Sequence, residues 1–288
     1  MLRSLSSAIS GLQSFQQRLD VIGNNIANVN TTAFKAARVG LADSFSQTLR
    51  SSSAATGGSS GTSAMQIGLG VSVQSINNLY TQGALARTGV ITDLAVTNNG
   101  FFVVRDPISN NEYVTRAGDF STDESGNLVT GTGMRVQGYN DAALTTMGDI
   151  TIDTTGMPAT SDPLATMVSF AIDTEGKVNV NLSDGTQFVR GQILLQNFSN
   201  PQGLTKEGNN LYSGIGAAGP LGGAASPTPA APGTNGLGRI QAGALELSNV
   251  DLATEFTNLI TTQRAYQANA RIITTSDEML QELVNLKR

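Results

Sequence analysis

Residues 4–29, SLSSAISGLQSFQQRLDVIGNNIANV, decide how the rest of the chain is read. Apolar side chains stand at Leu5, Ala8, Leu12, Phe15, Leu19, Ile22, Ile26 and Val29, an unbroken alternation of three and four residues that is the spacing of a coiled-coil seam. The far end repeats it. From Leu252 a stripe runs through Phe256, Leu259, Tyr266, Ala270, Ile273, Leu280 and Val284, interrupted where Gln263 and Asp277 fall on the seam. Fully burying a Leu, Ile or Phe is worth roughly 1.5–3 kcal/mol, so leaving Leu5, Leu12, Phe15, Leu19, Ile22 and Ile26 in water forgoes on the order of 10 kcal/mol. The two ends are therefore expected to pack on each other. Ile9, Val21, Ile260, Ile272, Met279 and Leu283 lie off the seam and widen each apolar face. Faces that wide predict several helices side by side, as in an assembly of identical chains.

Between these ends the period changes. The Asn-rich run 24–32, NNIANVNTT, mixes seam residues with side chains that cap and bend backbones, so the first helix should end or turn there. Residues 33–49 are expected to be a short helical or extended stretch with Phe34, Leu41, Phe45 and Leu49 inward. Residues 51–64, SSSAATGGSSGTSA, read as a linker too polar to fold alone. Runs such as Val71 and Val73, Val90 to Val96 and the unbroken Phe101-Phe102-Val103-Val104 then predict antiparallel strands. Residues 216–236, GAAGPLGGAASPTPAAPGTNG, read as a surface loop, and Asp251 just ahead of Leu252 as a helix start. The fold class is thus α+β: long N- and C-terminal coiled-coil-like helices packed together, with a mainly antiparallel β domain between. The expected divisions are 1–32 for the first helix, 33–70 for a connecting segment, 71–247 for the β domain and 248–288 for the last helix.

Composition removes most chemistry. Without His or Cys there is no imidazole base, thiolate nucleophile, zinc site or disulfide. No cofactor and no metal are expected. Only 14% of residues are charged, against about 25% in ordinary globular chains. A net charge of −5 argues against nucleic acid as a partner. A surface of small polar groups suits close packing of like subunits. No continuous apolar run resembles a signal peptide core or the roughly 20 residues of a membrane span, so membrane insertion is not expected.

One internal repeat bears on the carboxylates. Phe120-Ser-Thr-Asp123-Glu-Ser-Gly126-Asn-Leu128 and Phe170-Ala-Ile-Asp173-Thr-Glu-Gly176-Lys-Val178 share the pattern F-x-x-D-x-x-G-x-aliphatic. Each reads as strand, tight turn and returning strand, with Asp accepting from the turn backbone and Gly supplying a positive φ. Calcium binding by Asp119, Asp123 and Glu124 is the alternative, but the spacing of a twelve-residue calcium loop is absent. A secreted β-rich hydrolase using Asp119, Asp123 or Asp173 is a remote reading, because a glycosidase needs its carboxyls across a cleft and these lie mainly in turns. A membrane-surface role for the first helix lacks a Lys-rich polar face.

The opening ISGLQSFQQRLDVIGNNIANVNTTAFK resembles the N-terminal signature of the flagellar rod and hook axial family. The stretch LYTQGALARTGVITDLAVTNNGFFVV is similar to that family's entry into its β domain, and LSNVDLATEFTNLITTQRAYQANARIITTSDEMLQELVNLKR to its C-terminal helix. The resemblance implies a structural subunit, not an enzyme, whose terminal helices line the inner tube of a helical homopolymer. It implies neighbouring axial proteins of the rod or the hook–filament junction as partners, and passage through the flagellar type III export apparatus without a cleaved signal. The site residues are then an assembly interface: Leu5, Leu12, Phe15, Leu19, Ile22, Asn24, Asn25, Ile26, Leu252, Phe256, Leu259, Tyr266, Ile273, Leu280 and Val284. Within the family, TGTGMRVQGYN and GQILLQNFSNPQGLTKEGNNLYS look most like a hook subunit, a torque-transmitting universal joint. The alternative is a distal rod subunit, a rigid drive shaft, whose characteristic segment the stretch at 51–64 resembles in position and length.

Overall fold

The computed structural model describes residues 2–54, 60–158, 161–162, 164–221 and 229–286, with backbone only at 2 and 283. The middle of the Ser/Gly stretch, 55–59, and of the Pro/Gly loop, 222–228, lie outside the described residues. The chain divides into two units, each built from discontinuous segments.

The first unit comprises Met1–Asn28, Ala36–Leu79 and Val250–Arg288. Helix α1 spans Leu2–Ala27 and helix α2 spans Leu252–Leu286. Asn28 ends the first by folding its side-chain amide back onto the Asn24 carbonyl, 2.9 Å away. Asp251 starts the second: its carboxylate accepts from the Ala253 backbone N–H at 2.9 Å and the Thr254 hydroxyl at 3.0 Å. Between the helices lies an antiparallel ribbon. Strand β1 (Ala37–Asp43) pairs with β4 (Val71–Asn78), and β2 (Ser46–Arg50) continues outward against β3 (Met65–Gly68). Bonds from Ser44 N–H to Gly70 O and from Leu69 N–H to Phe45 O join the two halves.

This ribbon corrects the expected boundaries. Residues 71–78 pair with β1 and so belong to the first unit, and the β domain begins at Tyr80 rather than 71. Phe34 is buried as expected, but Phe45 is 85% exposed and Leu49 is exposed too. A two-stranded ribbon has no second layer to cover its tip, so alternation cannot turn these residues inward.

The second unit, Val29–Lys35 with Tyr80–Asn249, is the β domain. Among the described residues its main sheet has 12 strands, paired antiparallel. The central path runs Met167–Ile172, Lys177–Leu182, Gln187–Ile193, Arg135–Tyr139, Phe101–Arg105, Glu112–Thr115, Leu211–Ser213 and Thr205–Gly208. Phe101–Arg105 explains its own unbroken apolar run. Phe102 and Val104 enter one hydrophobic core with Leu128, Val136 and Ile193, while Phe101 and Val103 enter a second with Val114, Phe198 and Tyr212. A strand buried on both faces has no need of alternating polar residues.

Both copies of the F-x-x-D-x-x-G pattern form the expected turns. Gly126 and Gly176 take φ of +79° and +76°, and each donates its N–H to the carbonyl of the preceding Asp at 2.9 Å. The loop at 216–236 departs from the surface reading at both of its described ends. Ala218 is buried, and Ala230 exchanges two backbone bonds with Leu195.

Candidate assembly interface

The expected seam and the observed one are adjacent lines on the same helices. On α1 the fully buried positions are Ala8, Gly11, Ser14, Ile22 and Asn25, three apart except for the step of eight from Ser14 to Ile22, and mostly small or polar. Of the apolar stripe only Ala8 and Ile22 share that burial; Leu5, Leu12, Phe15, Leu19 and Ile26 are half-buried, and Asn24 is exposed. Helix α2 is more extreme. Its buried residues among those described are Thr262 and Ser276, with Glu255, Asn258, Leu259, Ala265, Asn269, Ala270 and Ile273 half-buried. The predicted stripe at Leu252, Phe256, Tyr266, Leu280 and Val284 faces water, Phe256 at 48% and Val284 at 67% exposure. Leu283 falls outside the described side chains.

Geometry explains the shift. A Cβ on Gly11 would come within 2.5 Å of the Asn269 side chain, so the helices touch closely there. Asn25 lies beside Glu255 at the other end of the contact. Gly11 opposite Asn269 and Asn25 opposite Glu255 make the pair antiparallel. Small residues bring two backbones together, whereas a stripe of Leu and Phe would hold them apart. The close contact therefore takes the small line, and the large apolar line of α2 is left outward with Ile260, Ile272 and Met279.

Asn25 deserves its place among the expected site residues for a different reason than assembly. Its Nδ2 donates to Ala37 O at 2.8 Å and its Oδ1 accepts from Ala37 N–H at 3.0 Å, which ties the end of α1 to the start of β1. Glu255 was missed by apolar periodicity. It lies with Arg18, Ile22, Arg38 and Leu79 around a cavity of about 260 Å³, and its Oε2 is buried without a hydrogen bond. Burial raises its pKa above the usual carboxylate value, against the lowering effects of the Asn25 hydrogen bond and the Arg18 charge.

Two of the three carboxylates of the hydrolase reading are engaged in turns, and Asp119 lies exposed in an isolated bridge to Asp93. Asp123 accepts from Ser125 N–H and Asn127 Nδ2, and Asp173 from Thr174 N–H. No helix among the described residues is long and apolar enough to cross a membrane.

Three family models match in sequence order: "Flagella basal body rod protein" over residues 5–35, "Flagellar hook protein FlgE/F/G D1 domain" over 95–180, and "Flagellar basal body rod FlgEFG protein C-terminal" over 241–286. The flagellar basal-body rod protein FlgG of Bacillus subtilis is 44% identical over 288 residues, covering 100% of both chains. The chain belongs to the flagellar rod and hook axial family. Two Borreliella burgdorferi relatives also match over the full length of both chains. Its rod protein FlgG is 33% identical over 291 aligned positions, and its hook protein FlgE is 28% identical over 449. Membership in the axial family makes this a structural protein of the flagellum.

Proposed function

We propose that this chain is a distal rod subunit, polymerising into the rigid shaft that carries torque through the basal body. The observation that carries the reading is the end-to-end match with a rod protein, without large gaps, at 44% identity. The comparison within Borreliella burgdorferi supports it. The rod relative aligns over 291 positions and the hook relative needs 449, so the hook carries substantial insertions that this chain lacks. The preference for a hook drawn from short sequence stretches therefore gives way to its alternative.

The structure also supports a stiff element. The ribbon from Ala37 to Asn78 carries exposed Phe45, Leu49, Met65, Ile67 and Leu69. An isolated two-stranded ribbon is marginal in water, so exposed apolar residues along it favour a docked ribbon over the flexible linker that a bending joint would use. In the assembly, α1 and α2 form the inner wall, with Leu252, Phe256, Tyr266, Leu280 and Val284 against other copies. Contacts of this heterologous kind, which do not close into a ring, generate an open helical tube. Other axial proteins adjoin the polymer at its ends, and the flagellar type III apparatus exports the subunit. Electron microscopy of flagella from cells with and without the gene tests the reading. Loss of the distal rod together with the hook is expected; a complete rod lacking only the curved hook would overturn it.

A further inference from the structure

The seven residues Val29–Lys35 follow α1 in the chain yet belong to the β domain. They lie in it as a strap. Ala33 donates its N–H to Glu246 O at 2.7 Å, Asn210 Nδ2 donates to Thr32 O at 2.8 Å, and the Lys206 ammonium stands 4.1 Å over the Phe34 ring. Ala33 and Phe34 are almost wholly buried. Lys35 is completely buried, its Nζ donating to Glu246 Oε1 at 2.6 Å and to Thr81 O at 2.9 Å.

The charge arithmetic at Glu246 sets the strap apart from the rest of the domain. Arg116 Nη1 also reaches this carboxylate, at 3.3 Å from Oε2, and Gly83 N–H donates to Oε1 at 2.8 Å. With Lys35 in place two buried cations share one anion. If Lys35 leaves, Glu246 and Arg116 remain as a neutral, hydrogen-bonded pair, and no uncompensated charge is created in the domain. Burial also lowers the Lys35 pKa in spite of Glu246.

We propose that Val29–Lys35 is a releasable strap, docked in its slot by Phe34 and Lys35, whose opening leaves the β domain folded and frees the chain between α1 and β1. At ~3.3–3.6 Å per extended residue, release of seven residues adds roughly 25 Å of tether. With the strap free, α1 can move relative to β1 while the β domain stays folded. The docking itself does not depend on the rod reading, since it is measured in the monomer.

The test is amide hydrogen exchange on the full-length monomer, read at Ala33 and at Val103 in the core. Sub-global opening predicts that Ala33 exchanges at least about tenfold faster than Val103, that its exchange rises less steeply with urea than that of Val103, and that Lys35→Met and Phe34→Ala each accelerate Ala33 about tenfold further. Equal rates at the two sites in the wild type would overturn the proposal. So would a urea slope at Ala33 equal to that at Val103, or failure of both variants to fold, because the strap would then be an integral part of the core.

Discussion

Glu246 is the side chain on which the β domain is least forgiving. Removing Lys35 leaves a balanced pair, but removing Glu246 leaves Lys35 and Arg116 buried with no counter-charge. Glu246→Leu should therefore cost about 3–5 kcal/mol, and Lys35→Met clearly less, in urea unfolding monitored by the β domain. Two other carboxylates respond to pH with opposite sign. For Asp149, burial would raise the pKa, but hydrogen bonds from Gln137 and Arg135 and the Arg105 charge outweigh it and hold it below 3.8. Its contribution is present above that value and is lost as pH falls through the depressed folded pKa. Glu255, raised above 4.5 by burial, contributes below that value and loses its contribution as pH rises through the raised one. Unit-resolved hydrogen exchange between pH 3 and 7 should thus show acid weakening the β domain and favouring the α1–α2 contact. Asp149→Asn and Glu255→Gln should each flatten one of these profiles.

At the level of elements, the outward stripe of α2 separates folding from assembly. Phe256→Asp and Ile260→Asp change exposed positions, so the monomer's melting temperature should move little, within the roughly 0.5 kcal/mol usual for surface substitutions. Sedimentation should show that these variants no longer form tubes; normal tubes from both would remove the stripe from the interface. The same helices show how far sequence reading reaches. Both helices were legible because their apolar period is long and regular, and so were the two Asp–Gly turns, whose chemistry is local. The face each helix gives to the other was not legible. Apolar periodicity finds the surface with the most to gain from burial, whereas Gly11, Ser14, Thr262 and Ser276 were chosen by how closely two backbones can approach. The ribbon was missed for a related reason: Ser and Gly at 51–64 resemble a linker, and pairing of β2 with β3 across it is a long-range fact. Lys35 and Glu246 lie 211 residues apart, and nothing local marks either as buried.

For the whole molecule, the composition and the exposed stripe point to association driven by apolar burial rather than by charge. With 14% charged residues, tube formation should depend only weakly on sodium chloride across the range where surface ion pairs are screened, and sulfate should strengthen it. Sedimentation across a salt series checks this, and dissolution by moderate chloride would contradict it.

The antiparallel register has a consequence for growth. With Gly11 beside Asn269 and Asn25 beside Glu255, the last residues of α2, 279–286, run about two turns beyond the start of α1. The helix pair is ragged at one end only, like a duplex with a cohesive overhang. A polymer built from such pieces has a sticky face and a blunt face, so its two tips differ and the subunit itself carries an arrow.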